Sequence, residues 1–156
     1  MMIRIEIPGW ESLDICHIVM DYNGTAAVDG VFLAEAEERI LKLKEMAQLY
    51  ILTADTYGTV KEQCCGLGIE VMTFPREGAA ECKEEIVKGL SGGVVCLGNG
   101  LNDIQMFDAA DLSIAVLEKE GLCGRLLNHA DVIAPSFTAG LDLLLNPNRL
   151  RATLRT

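Results

Sequence analysis

A chain of 156 residues, half of them apolar and 23% charged, has the material for one domain with a packed core and falls outside the composition of disordered chains. Its net charge of −10 argues against a nucleic-acid partner, and the basic run 149–155 (RLRATLR), read as a solvated tail or helix end, is too short to reverse that. No apolar window reaches membrane-spanning length, and the start MMIRIEIPGWE lacks a signal peptide's pattern. Six cysteines without a CxxC pair, beside only two histidines, point to reduced, mostly buried thiols in a cytoplasm rather than to zinc.

In chain order, IRIEIP (3–8) and LDICHIVMD (13–21) read as two strands forming an N-terminal β-hairpin around Pro8 and Gly9, the second apolar enough at Ile18, Val19 and Met20 to be central. A short hairpin-like flap turning at Val28, Asp29 and Gly30 follows. The stretch 34–46 then predicts a helix with Ile40, Leu43 and Met46 on one face. LYILT (49–53) reads as a strand, 59–68 as a helix closed by glycine, with Asp55 and Thr56 as its caps, and IEVMTF (69–74) as a strand. A helix over 79–90 and the buried strand GVVCL (93–97) come next. The segments 102–110, 112–116, 120–129 and 131–134 continue the alternation, and 138–145 closes it as a helix before Pro147. Neither repeats nor linkers interrupt the pattern, so residues 1–156 read as a single domain.

Such alternation predicts an α/β fold, a three-layer doubly wound parallel sheet whose ligands lie beyond the carboxyl ends of its strands. Asp21 follows the central strand, Thr53 and Asp55 follow LYIL, and Asn99 with Asp103 follow GVVCLG. The chemically able residues thus fall at one pole. His17, without a patterned partner, reads as structural.

Four motifs occur in order on those strand ends: VMDYNGT (19–25), YILT (50–53), a lysine at 83 and GNGLND (98–103). Together they resemble the haloacid dehalogenase superfamily, whose members pass phosphoryl groups through an aspartyl-phosphate. LTADT and NDIQMFDAADLSIAV narrow the resemblance to the phosphorylation domain of P-type ATPases, and to the small group labelled soluble P-type ATPases. The gaps between motifs are too short for an ATP-binding or cap domain, so the expected fold is capless.

By this resemblance Asp21 is the nucleophile, with Asn23 and Lys83 completing the catalytic set. Thr53, the backbone N–H of Ala54 and Lys83 bind phosphate, and Mg²⁺ is held by Asp21, the carbonyl of Asn23, Asn99 and Asp103. Lys88 competes with Lys83 for the site. The partner is a phosphorylated substrate, small or large, and an uncapped site implies a homo-oligomer, dimer or tetramer.

Two positions depart from the family pattern. Asn23 stands where an acid would protonate the leaving group, a function worth roughly 10²- to 10⁴-fold. Asn99 stands where a carboxylate would bind Mg²⁺. The expectation is therefore a slow Mg²⁺-dependent phosphohydrolase. The alternative is a regulatory module that binds phosphate or metal on the same fold with little or no turnover.

Overall fold

The computed structural model describes residues 1–55 and 58–156. Strands β1 (Ile3–Ile5) and β2 (Leu13–Asp21) pair antiparallel, which is the expected N-terminal hairpin. The flap is β3 (Ala27–Val28) and β4 (Val31–Phe32), turned by Asp29 at φ 52° and Gly30 at φ 79°, the successive left-handed residues that a tight hairpin requires.

Strands β5 (Gln48–Thr53), β6 (Ile69–Thr73), β7 (Gly93–Gly98), β8 (Leu112–Val116) and β9 (Val132–Ala134) join β2 in one parallel sheet of order β6-β5-β2-β7-β8-β9. The chain first winds outward from β2 to β6 and then returns to lay β7 on the other side of β2. The strand order therefore reverses between β2 and β7, and a crevice opens there beyond their carboxyl ends.

Alternation along the strands feeds two cores. Ile18, Met20, Ile51, Val95, Leu97 and Ile114 pack on one face against α1 (Glu37–Leu43), α5 (Phe137–Leu145) and α6 (Pro147–Leu154). Val19, Tyr50, Leu52 and Cys96 pack on the other against α3 (Ala79–Lys88) and α4 (Ile104–Ala109). The register between β2 and β7 slips at Cys16, so Ile15 faces the same side as Ile18 despite their odd spacing. Fully burying each such side chain contributes roughly 1.5–3 kcal/mol, which fixes β2, and Asp21 at its end, at the sheet's centre.

Several sequence expectations need correction. Helix α2 (Thr59–Gln63) ends well before residue 68, because Gly66 and Gly68 adopt positive φ and the backbone turns away. Its N-cap is Gly58; Asp55 instead accepts a hydrogen bond from the Thr59 hydroxyl (2.8 Å), and Thr56 lies outside the described residues. The segment 124–129 winds as a 3₁₀ turn without an α-helix.

Pro147, expected to follow the last helix, opens α6 at its first position, where a missing N–H costs nothing. The basic end is thus no free tail. Leu150 is buried, Arg151 Nε donates to the Glu6 carbonyl (2.8 Å), and Trp10 Nε1 donates to the Leu154 carbonyl (3.1 Å).

The six thiols are free, but only Cys64 and Cys96 are buried; Cys65 is exposed and the other three are half-buried. Burial pushes Cys64 up to about 11 and holds Cys96 well above its ordinary value, which leaves both inert. His17 is held between the Tyr50 hydroxyl (3.1 Å) and the Ser91 carbonyl (2.8 Å). No helix among the described residues is long and apolar enough to cross a membrane. The β2–β5 connection holds only the flap, a 3₁₀ turn at Ala34–Ala36 and α1, so no cap domain is inserted there.

Candidate active site

Asp21 ends β2 and turns into the loop 22–26, whose backbone folds back through Thr25 N to Tyr22 O and Ala26 N to Asp21 O. Gly24 adopts φ 83°, and a Cβ there would strike the Asn99 amide, so this close approach of the first and fourth motifs excludes any side chain. Gly98 plays the matching part at the end of β7, where a Cβ would lie 2.5 Å from Asp103 Oδ2.

Lys83, on α3, sends its ammonium into the crevice and is only 3% exposed. It donates to Asp21 Oδ1 (2.9 Å), Asp103 Oδ1 (2.8 Å) and Asn102 Oδ1 (3.0 Å), which uses all three protons. Burial alone would lower its pKa, but the two carboxylates outweigh that and hold the ammonium charged. Lys88 points to solvent and pairs with Glu84 (3.3 Å), so the geometry separates the two candidate lysines.

Asp21 is pushed up to about 7, first by burial and then by the charge of Asp103; Lys83 and the Thr25 hydroxyl act the other way without prevailing. The pocket therefore holds less positive charge than an ionised Asp21 needs.

Asp103, expected as a metal ligand, is fully buried and engaged on both oxygens. Oδ1 accepts from Lys83, while Oδ2 accepts from the backbone N–H groups of Asn99 (3.1 Å) and Gly100 (2.9 Å). The structure places it behind the lysine, shaping the loop, and it does not line the cavity. Asn99 orients Oδ1 to the Thr25 hydroxyl (3.2 Å) and donates from Nδ2 to the Gly121 carbonyl (3.1 Å). An aspartate at 99 could not make that second bond.

Asn23 lies exposed at the mouth, with no side-chain hydrogen bond to described residues. Thr53 is buried, and its hydroxyl accepts from Asp55 N (3.0 Å), leaving its own proton to donate into the cavity. Ala54 lines the cavity beside it.

These residues enclose about 210 Å³, lined by Asp21, Asn23, Thr53, Ala54, Lys83 and Asn99 among others. Two contributors had been quoted in the motifs without a role. Thr25 directs one hydroxyl proton towards both Asp21 Oδ2 (3.2 Å) and Asn99 Oδ1 (3.2 Å), and Asn102 anchors Lys83. Their signal was their place in NGT and GLND; their partners are set only by folding.

A cation fits this donor set. Asp21 Oδ2 and Asn99 Oδ1 are two oxygens facing a single shared proton, so one of them always lacks a donor. Hard oxygen donors with room for water are what Mg²⁺-class ions require.

No family model matches the chain. The fold is shared with a putative HAD family hydrolase from Streptomyces avermitilis (TM-score 0.65, 19% identity, 85% of this chain and 84% of that one). It is also shared with the 3-deoxy-D-manno-octulosonate 8-phosphate phosphatase from Moraxella catarrhalis in complex with magnesium, phosphate and KDO (0.72, 19%, 88% and 90%). The cobalt-bound form of the corresponding phosphatase from Haemophilus influenzae is similar too (0.72, 16%, 91% and 94%). This is a haloacid dehalogenase-fold protein.

Among curated sequences, an uncharacterized protein of Methanocaldococcus jannaschii is 40% identical over 62 residues, 40% of this chain and 67% of that one, and the two belong to one family. A soluble P-type ATPase-like phosphatase of the same organism is 25% identical over 112 residues, 69% of this haloacid dehalogenase-fold chain. That match spans 41% of the phosphatase's own length.

Proposed function

We propose that the chain is a phosphohydrolase that uses a divalent metal ion, Mg²⁺ in the first instance, and works through an aspartyl-phosphate at Asp21. The observation that carries this reading is the buried Lys83 ammonium placed on Asp21 Oδ1 at the point where the strand order reverses. A carboxylate and an ammonium removed from water together are costly to maintain without a use for them. The phosphatases sharing the fold, and the phosphatase-like relative, support the same chemistry.

Asp21 Oδ1 attacks phosphorus and the bond to the leaving oxygen breaks, while the Thr53 hydroxyl donates a hydrogen bond to a phosphoryl oxygen and Lys83 neutralises charge on the transferring group. Asp21 Oδ2, the Asn23 carbonyl and Asn99 Oδ1 would hold the metal ion, which when bound supplies further positive charge to the phosphoryl oxygens. The leaving oxygen takes its proton from solvent, because the Asn23 amide has none to give at neutral pH. Water then attacks phosphorus of the acyl phosphate, releasing inorganic phosphate and restoring Asp21. Substrates with good leaving groups, acyl and aryl phosphates, suit a site without an acid.

The neutral amides of Asn23 and Asn99 favour the second reading, a binding module with little turnover. Hydrolysis of p-nitrophenyl phosphate with and without Mg²⁺, on the wild type, Asp21→Asn and Asn23→Asp, separates the two. Metal-dependent turnover that disappears in Asp21→Asn and rises in Asn23→Asp supports the hydrolase. Folded proteins that all fail to turn over support the module. The uncapped mouth and the exposed flap residue Val31 (65%) support a homo-oligomer, which light scattering tests.

A further inference from the structure

Beside the phosphate cavity lies a larger trough of about 590 Å³, lined by Ala80 of α3 and by Gly100, Leu101, Asn102, Ile104 and Gln105 at the start of α4. Gly100 and Asn102 line both spaces, so the trough adjoins the cavity along the loop that anchors Lys83. Three features describe what would lie in it.

The first is size. The smaller cavity suits a phosphoryl group, whereas 590 Å³ is in the range of sites for small organic molecules. The second is polarity: no charged side chain lines the trough, and Leu101 is 53% exposed although it stands at the rim of a polar site. A leaving group with its own carboxylate would find no cation there.

The third is an unmet hydrogen bond. Among the described residues, Gln105 Oε1 is the only buried side-chain nitrogen or oxygen without a partner. A buried acceptor left unpaired is a net cost to the fold, and turning the Gln105 side chain into the trough that it lines would bring that oxygen to a ligand's donor.

We infer that the trough is the leaving-group subsite, and that the substrate is a phosphate ester of an uncharged, largely apolar skeleton of about aryl size carrying a hydrogen-bond donor for Gln105. This rests on the phosphohydrolase reading, since it names the substrate class of that same site. Leu101 supplies the apolar floor and Gln105 the polar preference, so both are specificity residues. Neither belongs to the catalytic set.

Binding of non-hydrolysable phosphonates, measured by calorimetry with Mg²⁺ present, tests this without requiring turnover. Methylphosphonate probes the phosphate cavity alone, benzylphosphonate adds the apolar skeleton, and 3- and 4-hydroxybenzylphosphonate add a donor. Wild type is expected to bind benzylphosphonate at least about tenfold tighter than methylphosphonate. Leu101→Asp, at an exposed position, should reduce that advantage to less than about twofold; its negative charge weakens both phosphonates alike, so the ratio of the two affinities is the readout.

At least one hydroxybenzyl compound should bind more tightly than benzylphosphonate, and Gln105→Leu should abolish that preference alone. Equal binding of methyl- and benzylphosphonate, or an advantage that survives Leu101→Asp, overturns the subsite while leaving the phosphate cavity intact. No hydroxyl preference in wild type overturns the assignment to Gln105. Failure of methylphosphonate itself to bind overturns the phosphohydrolase reading and the subsite with it.

Discussion

The two sides of the cavity are built on different principles. On the lysine side, Lys83, Asp21, Asp103 and the loop N–H groups form a buried network in which all three ammonium protons and both Asp103 oxygens are used. On the amide side, Asn23 is exposed with no side-chain hydrogen bond to the described residues, and Asn99 is tied to the Gly121 carbonyl. Charge is concentrated where, on the proposed reading, a phosphoryl group would be captured, and neutral amides stand where a proton would be delivered and beside Asp21 at the proposed metal position. On the proposed reading, a site of this kind would capture readily and release slowly. Each side can be tested by changing its charge.

The largest effect is expected on the lysine side. Lys83→Met leaves the buried Asp103 carboxylate without its ammonium partner and removes one of the groups holding the Asp21 carboxyl down, which should cost about 3–5 kcal/mol in denaturant unfolding at neutral pH. Turnover should fall by at least about 10²-fold, because charge stabilisation dominates phosphoryl transfer. Asp21→Asn should remove turnover altogether. A Lys83 variant that keeps both stability and turnover would break the comparison outright.

On the amide side, Asn23→Asp should raise p-nitrophenyl phosphate turnover by at least about tenfold, within the range positioned acids supply, and no side-chain bond to the described residues opposes the change. Asn99→Asp is a mixed case. It should tighten Mg²⁺ binding by calorimetry and, without metal, destabilise the protein by about 1–3 kcal/mol, since the new carboxylate faces the Gly121 carbonyl. Metal should restore that loss. If the substitution is stabilising in metal-free buffer, the bond to Gly121 is not what fixes an amide at 99.

The smallest effect concerns pH. Because the Asp21 carboxyl sits near 7 when folded and near its ordinary value of 3.8 when unfolded, the folded state holds the extra proton between those limits. Its contribution to stability is greatest at acid pH and declines as pH rises through about 7. Asp21→Asn should therefore raise the Tm by a few degrees at pH 8 in metal-free buffer, with a smaller gain at pH 5. An equal gain at both values would show that burial of the charge is not the cause.

Much of this layout was legible before folding. Strand ends in an alternating chain are obliged to collect at one pole, so Asp21, Thr53 and Asn99 could be grouped from spacing alone. The choice of Lys83 over Lys88 and the role of Asp103 could not, since both depend on which face of α3 meets the sheet. Asn99's bond to Gly121 joins residues 22 positions apart, and the clasp of Gln63 on Gly30 O (3.0 Å) and Phe32 N (2.7 Å) of the flap leaves no mark in composition. The early end of α2 and the start of α6 at Pro147 were misread for a simpler reason. Glycine and proline mark boundaries, but which side of the boundary they serve is decided by packing.

The central claim is that Asp21 takes up a phosphoryl group and Asn23 delays its loss. It is tested most directly by quenching the protein in acid during reaction with acetyl phosphate and Mg²⁺, then mapping phosphoryl adducts by peptide mass. The account predicts an adduct on Asp21 that accumulates in the wild type, is discharged by hydroxylamine, and nearly vanishes at steady state in Asn23→Asp. No adduct on Asp21, or one that builds up further in Asn23→Asp, would contradict it.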